Sequence, residues 1–241
     1  MQSTRSVWVV VLVVLCWPAN AEDEPPAMVR ERFGAYDLQA IKTGDWVTYE
    51  FEMSGSKEKY TLSCVGKDDL DIWIEMDSLE SAPDGARALC RADLVNRQIG
   101  EAWWGLSGEV GRPLKLQDHK RSPAGTKHSN TASVAEEELR IGERAFKCQV
   151  ITIEGRAEFK GFTTTIHHKY WLAPDLPWPL RSDDLSAALG VSGPIEWSSK
   201  PDKLGTVVRH ELEISTRDNR LRSTETLSSW GQDAKQTIKT K

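Results

Sequence analysis

From Gly44 to the neighbourhood of Trp230, apolar residues recur at every second position in most segments, and this period selects strands over helices. In WVTYEFEM, residues 46–53, Val47, Tyr49, Phe51 and Met53 alternate with Thr48, Glu50 and Glu52. A strand points successive side chains to opposite faces, so such a run buries one face and wets the other. YTLSCV repeats the pattern with Tyr60, Leu62 and Cys64, and LDIWIEM with Leu70, Ile72, Ile74 and Met76. The intervening SGSK and GKDD are turns, which makes the three runs an antiparallel meander. ARALCRADL and EAWWGL continue it, the latter with Ala102, Trp104 and Leu106 inward. AFKCQVITIE and GFTTTIHHKYWL form a long hairpin around Glu158 to Gly161, and TVVRHELEIS pairs with RLRSTETLSSW across TRDN. Residues 117–135 read as a polar loop.

Seven or eight strands with one apolar face each predict a mainly β fold. The expected form is a large curved antiparallel sheet or incomplete barrel, with one or two short helices and long loops over its inner face. The helices are expected at Ala27 to Phe33, stopped by Gly34, and in SDDLSAALG, with Ser182 as cap and Gly190 as terminator. Prolines 174, 177 and 179 cannot donate to a ladder, so IHHKYWLAPDLPWPLRSD is the end of a strand, with Trp178 plugging the end of the sheet.

The first 21 residues carry Arg5, an apolar run from Val7 to Trp17 and the ending Ala19-Asn20-Ala21. This is the pattern of a secretory signal peptide. The run has 11 residues, against roughly 20 for a membrane-spanning helix, so no transmembrane segment is expected after cleavage. The organisation that follows is a signal peptide at 1–21, an N-terminal linker with a short helix at 22–43, one β-domain at 44–231 and a loose polar tail at 232–241. The expected location is the periplasm or the extracellular space. A net charge of −5 from 31 basic and 36 acidic residues favours neither nucleic acid nor an anionic membrane surface as partner. The basic stretch HKRSPAGTKH, 119–128, is the local exception and reads as a solvated loop.

The order of landmarks, GDWVTYEF, GKDDLDIWIEM, EAWWGLSGEVGRPLKL, AFKCQVITIE, KYWLAPDLPWPLRS and SSWG, resembles uncharacterised exported proteins of environmental, planctomycete-like bacteria over residues 44–231. That group is similar in turn to periplasmic lipoprotein-carrier half-barrels, which hold an acyl chain inside a curved sheet. The resemblance implies a fold and a compartment and assigns no catalytic residue. WPLRSDDLSAALG departs from the group, which has a Gly-rich turn into an apolar strand there.

The motifs of common chemistries are not met. His167 and His168 are successive strand residues on opposite faces and cannot chelate one ion. Asp69 and Asp71 begin like a calcium loop, but Trp73 replaces an oxygen ligand. Gly190-Val191-Ser192-Gly193 lacks the spacing of a nucleophile elbow. No metal, no cofactor and no catalytic residue is therefore assigned. Cys64, Cys90 and Cys148 lie on apolar sides of their strands. Cys64 and Cys90 would flank an intervening strand at about 9.5 Å, too far for a bridge, so Cys64 with Cys148 is the preferred pair if one disulfide exists. Trp46, Trp73, Trp103 and Trp171 each sit on the polar side of a strand, which predicts that at least three of the four share the sheet face opposite the core, either open to a partner or covered by the segment Ala27 to Phe33 or the long loop after Leu116. Large aromatics among charges are the composition of a recognition surface. The expected function is a non-enzymatic cell-envelope β-domain that binds an apolar ligand, such as a lipid, or an envelope protein partner. The alternatives are an envelope hydrolase assembled from residues such as His168 and His210, and a structural subunit of an exported complex.

Overall fold

The computed structural model describes residues 28–29, 33–78, 87–117 and 123–240. The signal-peptide reading of 1–21 and the centre of the basic stretch, 119–122, lie outside these residues. Two short strands, β1 (Met28–Val29) and β8 (Leu116–Gln117), pair in parallel. Met28 and Val29 thus contribute a strand where the Ala27 to Phe33 segment reads as helix.

The remaining strands form one sheet: β2 (Trp46–Met53), β3 (Ser56–Lys67), β4 (Asp71–Ser78), β5 (Arg87–Asp93), β6 (Ile99–Gly105), β7 (Arg112–Pro113), β9 (Lys127–Ile141), β10 (Arg144–Phe159), β11 (Phe162–Ala173), β12 (Ile195–Trp197), β13 (Thr206–Ser215) and β14 (Arg220–Gly231). Their order is β12-β9-β10-β11-β13-β14-β2-β3-β4-β5-β6-β7. The β12–β9 pair is parallel and the others are antiparallel. The two ends do not pair with each other, so the sheet is an open, mainly antiparallel one, in keeping with an incomplete barrel. Among the described residues it has twelve strands rather than seven or eight. Most of the excess is short edge pieces and β9, which occupies much of the stretch read as a polar loop. In β9 only Asn130 and Ala132 are buried, and a strand that is wet at almost every position shows no alternation of hydrophobicity.

The inner face carries the core. Val47, Tyr49 and Phe51 of β2 stand in register with Leu62, Tyr60 and Glu58 of β3, and the row continues through Ile72, Ile74 and Met76 of β4 to Ala92, Cys90 and Ala88 of β5. On the other flank Ile151 and Ile153 meet Tyr170 and His168. Residues from both flanks join one buried cluster with Phe33, Leu38, Ile41, Trp178, Leu180, Leu185, Leu189 and Leu204. The chain therefore covers its own inner face with the segment before β2 and the long connection from β11 to β13. Lys67 fixes the first cover by donating from Nζ to the carbonyls of Leu38, Gln39 and Ile41 at 3.0, 2.7 and 2.8 Å.

The second cover begins where β11 stops at Ala173, before the prolines. Trp178 is fully buried, packs edge-on against Tyr36 and donates Nε1 to the carbonyl of Asp45 at 3.2 Å. It adopts φ +68°, an unfavourable left-handed backbone for a bulky residue, which its buried ring holds in place. The hydroxyl of Thr206 reaches the carbonyls of Leu176 and Pro177 at 2.9 and 2.8 Å, partnering groups that a turn between prolines leaves open. A single helical turn follows, α1 (Leu185–Ala188). Its cap is Asp184, whose side chain accepts from Ala187 N, while Ser182, expected in that role, accepts from Leu204 N at 2.8 Å. Gly190, at φ +62°, follows the turn.

A smaller apolar cluster lies on the outer face: Phe146, Cys148, Val150, Trp171, Ala173 and Val208. This cluster rules out the Cys64–Cys148 bridge. Cys64 belongs to the inner core on β3 and Cys148 to the outer cluster on β10, five strand positions away, a lateral separation of about 24 Å. Cys64 and Cys90 both lie across from Ile74 and flank β4. None of the three is in a disulfide, and all are buried. Burial pushes the Cys64 and Cys148 thiols up to about 11, which keeps them protonated and unreactive.

Candidate functional site: the outer face and its strap

Register places all four tryptophans on the outer face and gathers three of them in one part of it. Trp46 lies across from Ser63, Ser63 from Glu75, Glu75 from Leu89 and Leu89 from Trp103, one row over β2 to β6, about 19 Å from end to end. Trp73 precedes Glu75 by two residues and so shares its face. Beside it the Arg91 guanidinium stands 5.8 Å from the Trp73 ring and is held by Asp71 at 2.5 Å and Glu101 at 3.2 Å. Trp171 is on the same face, since the row Trp171, Arg209, Thr226, Glu50 joins it to β2. It sits three strands from Trp46 in the opposite direction, buried in the outer apolar cluster, with Lys169 over its ring at 4.4 Å and Nε1 donating to Glu137 at 3.0 Å. The structure thus brings Trp46, Trp73 and Trp103 together and sets Trp171 apart as a packing residue.

The polar tail after Gly231 does not hang loose. It crosses the tryptophan row and is pinned at each step. The Trp46 indole lies over Gly231, where an added Cβ would stand 2.6 Å from Nε1, and Nε1 donates to Asp233 at 2.7 Å. Glu75, only 4% exposed, accepts from Thr237 N at 2.8 Å, Thr237 Oγ1 at 2.5 Å and Ile238 N at 3.3 Å. Arg87 balances its charge at 3.0 Å and donates to Thr237 Oγ1 at 3.0 Å, while its other terminal nitrogen holds Asp77. Ile238 is fully buried. Its socket exists because residue 111 is glycine: a Cβ there would stand 2.7 Å from Trp103 Cβ and 2.9 Å from an Ile238 methyl. Backbone bonds then align 237–239 beside 108–111, from Gly108 N to Thr237 O, Lys239 N to Glu109 O and Gly111 N to Lys239 O, at 2.7–2.9 Å.

On the inner face the two adjacent histidines separate. His167 points outward to Glu154 at 3.2 Å. His168, 2% exposed, turns inward, its Nδ1 3.1 Å from His210 Nε2 and 3.3 Å from the Tyr170 hydroxyl. That hydroxyl donates to Leu189 O at 2.8 Å, and the Tyr170 and His210 rings stack at 4.0 Å. Glu225 lies across from His210 and from Phe51 and accepts from the Tyr60 hydroxyl. Loss of hydration, reinforced by a neighbouring imidazole, pushes His168 down to about 4 and His210 well below the usual imidazole range. Burial raises the Tyr170 and Tyr49 phenols. The pair is therefore neutral at pH 7, one ring donating and the other accepting. Among the described residues no group of three or more His, Cys, Asp or Glu side chains is placed to hold a metal ion.

These features define a class: an open β-sheet protein whose inner face is filled by its own chain and whose outer face carries tryptophans and charges beneath a C-terminal strap. No protein-family model matches the sequence, and no curated protein matches it. Among solved structures it is similar to a crystal structure described as "a putative lipoprotein" of Parabacteroides distasonis, at 10% identity and a TM-score of 0.34, over 82% of this chain and 99% of that one. Among the described residues no helix is long and apolar enough to cross a membrane.

Proposed function

We propose that this chain is an exported, non-enzymatic cell-envelope domain that binds a protein partner through the outer face of its sheet. The observation that carries the reading is the gathering of Trp46, Trp73 and Trp103 with Arg91, Asp71 and Glu101 on the face opposite the core. Amphipathic rings beside an ordered guanidinium give large contact area with little entropy to lose, as in the centres of protein interfaces. An apolar ligand inside the sheet is the weaker form of the proposal, because Phe33, Leu38, Trp178 and Leu189 occupy that space. The hydrolase alternative has less support, since the Tyr170 hydroxyl is committed to the Leu189 carbonyl and the two imidazoles face each other.

The test is affinity capture from the native envelope with the parent protein and with Trp73→Ala. A stoichiometric protein partner is expected with the parent, with recovery reduced at least tenfold by the substitution. Equal recovery with both, or native mass spectra showing only lipid adducts, would reject the outer face as the binding surface.

A further inference from the structure

The strap shows what the outer face recognises, because the tail is bound there much as a peptide ligand would be. Only one of its side chains, Ile238, is fully buried; Gln232, Asp233, Lys235, Gln236, Lys239 and Thr240 are exposed. Near its start Asp233 accepts from Trp46 and the Ala234 amide donates to the Gly44 carbonyl; the anchorage beyond that uses the Thr237 hydroxyl and main-chain groups of residues 237 to 239, met by Glu75, Gly108, Glu109 and Gly111. Lys239 and Val110 form a parallel bridge, so the tail is strand addition supplied from within the chain. A buried carboxylate that selects a hydroxyl and two amides, beside a socket sized for one β-branched side chain, reads two consecutive residues and main chain. Nothing in that set requires the segment to come from the same polypeptide.

We propose that the groove between Glu75, Trp103 and residues 108–111 is a receptor for an extended segment of another protein, and that the C-terminal tail is its tethered occupant, displaced when the partner binds. The incoming segment carries Thr or Ser followed by Ile or Val and runs parallel to residues 108–111. This rests on the reading of the outer face as a recognition surface and adds the partner's chemistry and its regulation. A tethered competitor has a high effective concentration, so the intact chain binds such a segment weakly until the tail is loosened.

The experiment uses the full chain and a fluorescent synthetic peptide of residues 232–241. In the chain carrying Thr237→Val with Ile238→Ala, the peptide is expected to bind saturably, at least tenfold more tightly than it binds the parent chain. Glu75→Gln in the same background, or the same two replacements in the peptide, should remove at least tenfold of that affinity. Ile238→Asp, which puts a charge into the socket, is a second way to release the tail and should give the same gain. Circular dichroism and backbone amide exchange confirm that each variant keeps its sheet. Absence of saturable binding to both released variants overturns the proposal. Because the assay needs no native partner, that result leaves the Trp73-dependent capture untouched, and loss of the capture leaves the peptide assay untouched.

Discussion

Replacing Glu75 with alanine is expected to destabilise the protein by about 4 kcal/mol, the summed cost of leaving the two amides and the hydroxyl of the strap without their buried acceptor, at roughly 1–3 kcal/mol each. Four donor groups converge on this carboxylate: the Arg87 guanidinium, the Thr237 amide and hydroxyl, and the Ile238 amide. Without it Arg87 keeps Asp77, so the guanidinium is not stranded, and the loss falls mainly on the strap. At roughly 2–4 °C per kcal/mol for a domain of this size, the melting temperature should fall by about 8–16 °C. Glu75→Gln keeps an acceptor at the site but not the charge, and about half the effect is expected of it, or ~2 kcal/mol. The distinguishing readout is amide exchange at Thr237 and Ile238, which should speed up in both variants while the amides of β10 and β11 stay protected. Thermal melts near the parent value would show that the strap contributes little to the fold.

Acid should unfold the protein earlier than its carboxylates alone would dictate. His168 and His210 are buried neutral with pKa values depressed below 6.5, so the unfolded chain binds protons that the folded chain refuses. Stability is then full above about pH 7 and declines as pH falls from the unfolded value of about 6.5 toward about 4. For His168 the shift to about 4 corresponds to roughly 3 kcal/mol at the acid end of that window, at 1.36 kcal/mol per pKa unit. The carboxylates act lower: paired Arg220 and Arg222 hold Glu213 down at about 2, and its contribution is lost only as pH falls below about 4.5. Urea melts from pH 7.5 to 4.5 should therefore show a steep fall in the parent and a shallower one in His168→Phe. Coincident pH profiles for the two would mean that the imidazoles titrate normally and are not buried as described.

How much of this was readable from residues alone follows from which interactions are local. The β2, β3 and β4 strands were legible because the alternation in WVTYEFEM and LDIWIEM is a property of neighbouring positions, and the end of β11 was legible because proline removes a donor wherever it stands. The same parity put Trp46, Trp73, Trp103 and Trp171 on one face, but strand order separates Trp171 from the other three, and order depends on pairings such as β11 with β13 that no short stretch encodes. Strand β9 was not legible because only Asn130 and Ala132 of its fifteen residues are buried, too few to set up an apolar alternation. The proposed Cys64–Cys148 bridge failed for a related reason: parity says that a thiol is buried but not in which of two apolar clusters. The strap was the least legible element. Residues 232–241 contain one large apolar side chain, Ile238, and the group that holds them, Glu75, reads in sequence as one more polar residue between Ile74 and Met76.

Site-specific photo-crosslinking inside the native envelope tests partner binding by the outer face most directly. A benzoylphenylalanine at Glu101, exposed beside Trp73 and Arg91 on the outer face, should give one discrete cross-linked protein, with none from the same probe at Arg217 in the turn between β13 and β14. Cross-linking from neither position, the same product from both, or a lipid adduct in place of a protein would contradict the account.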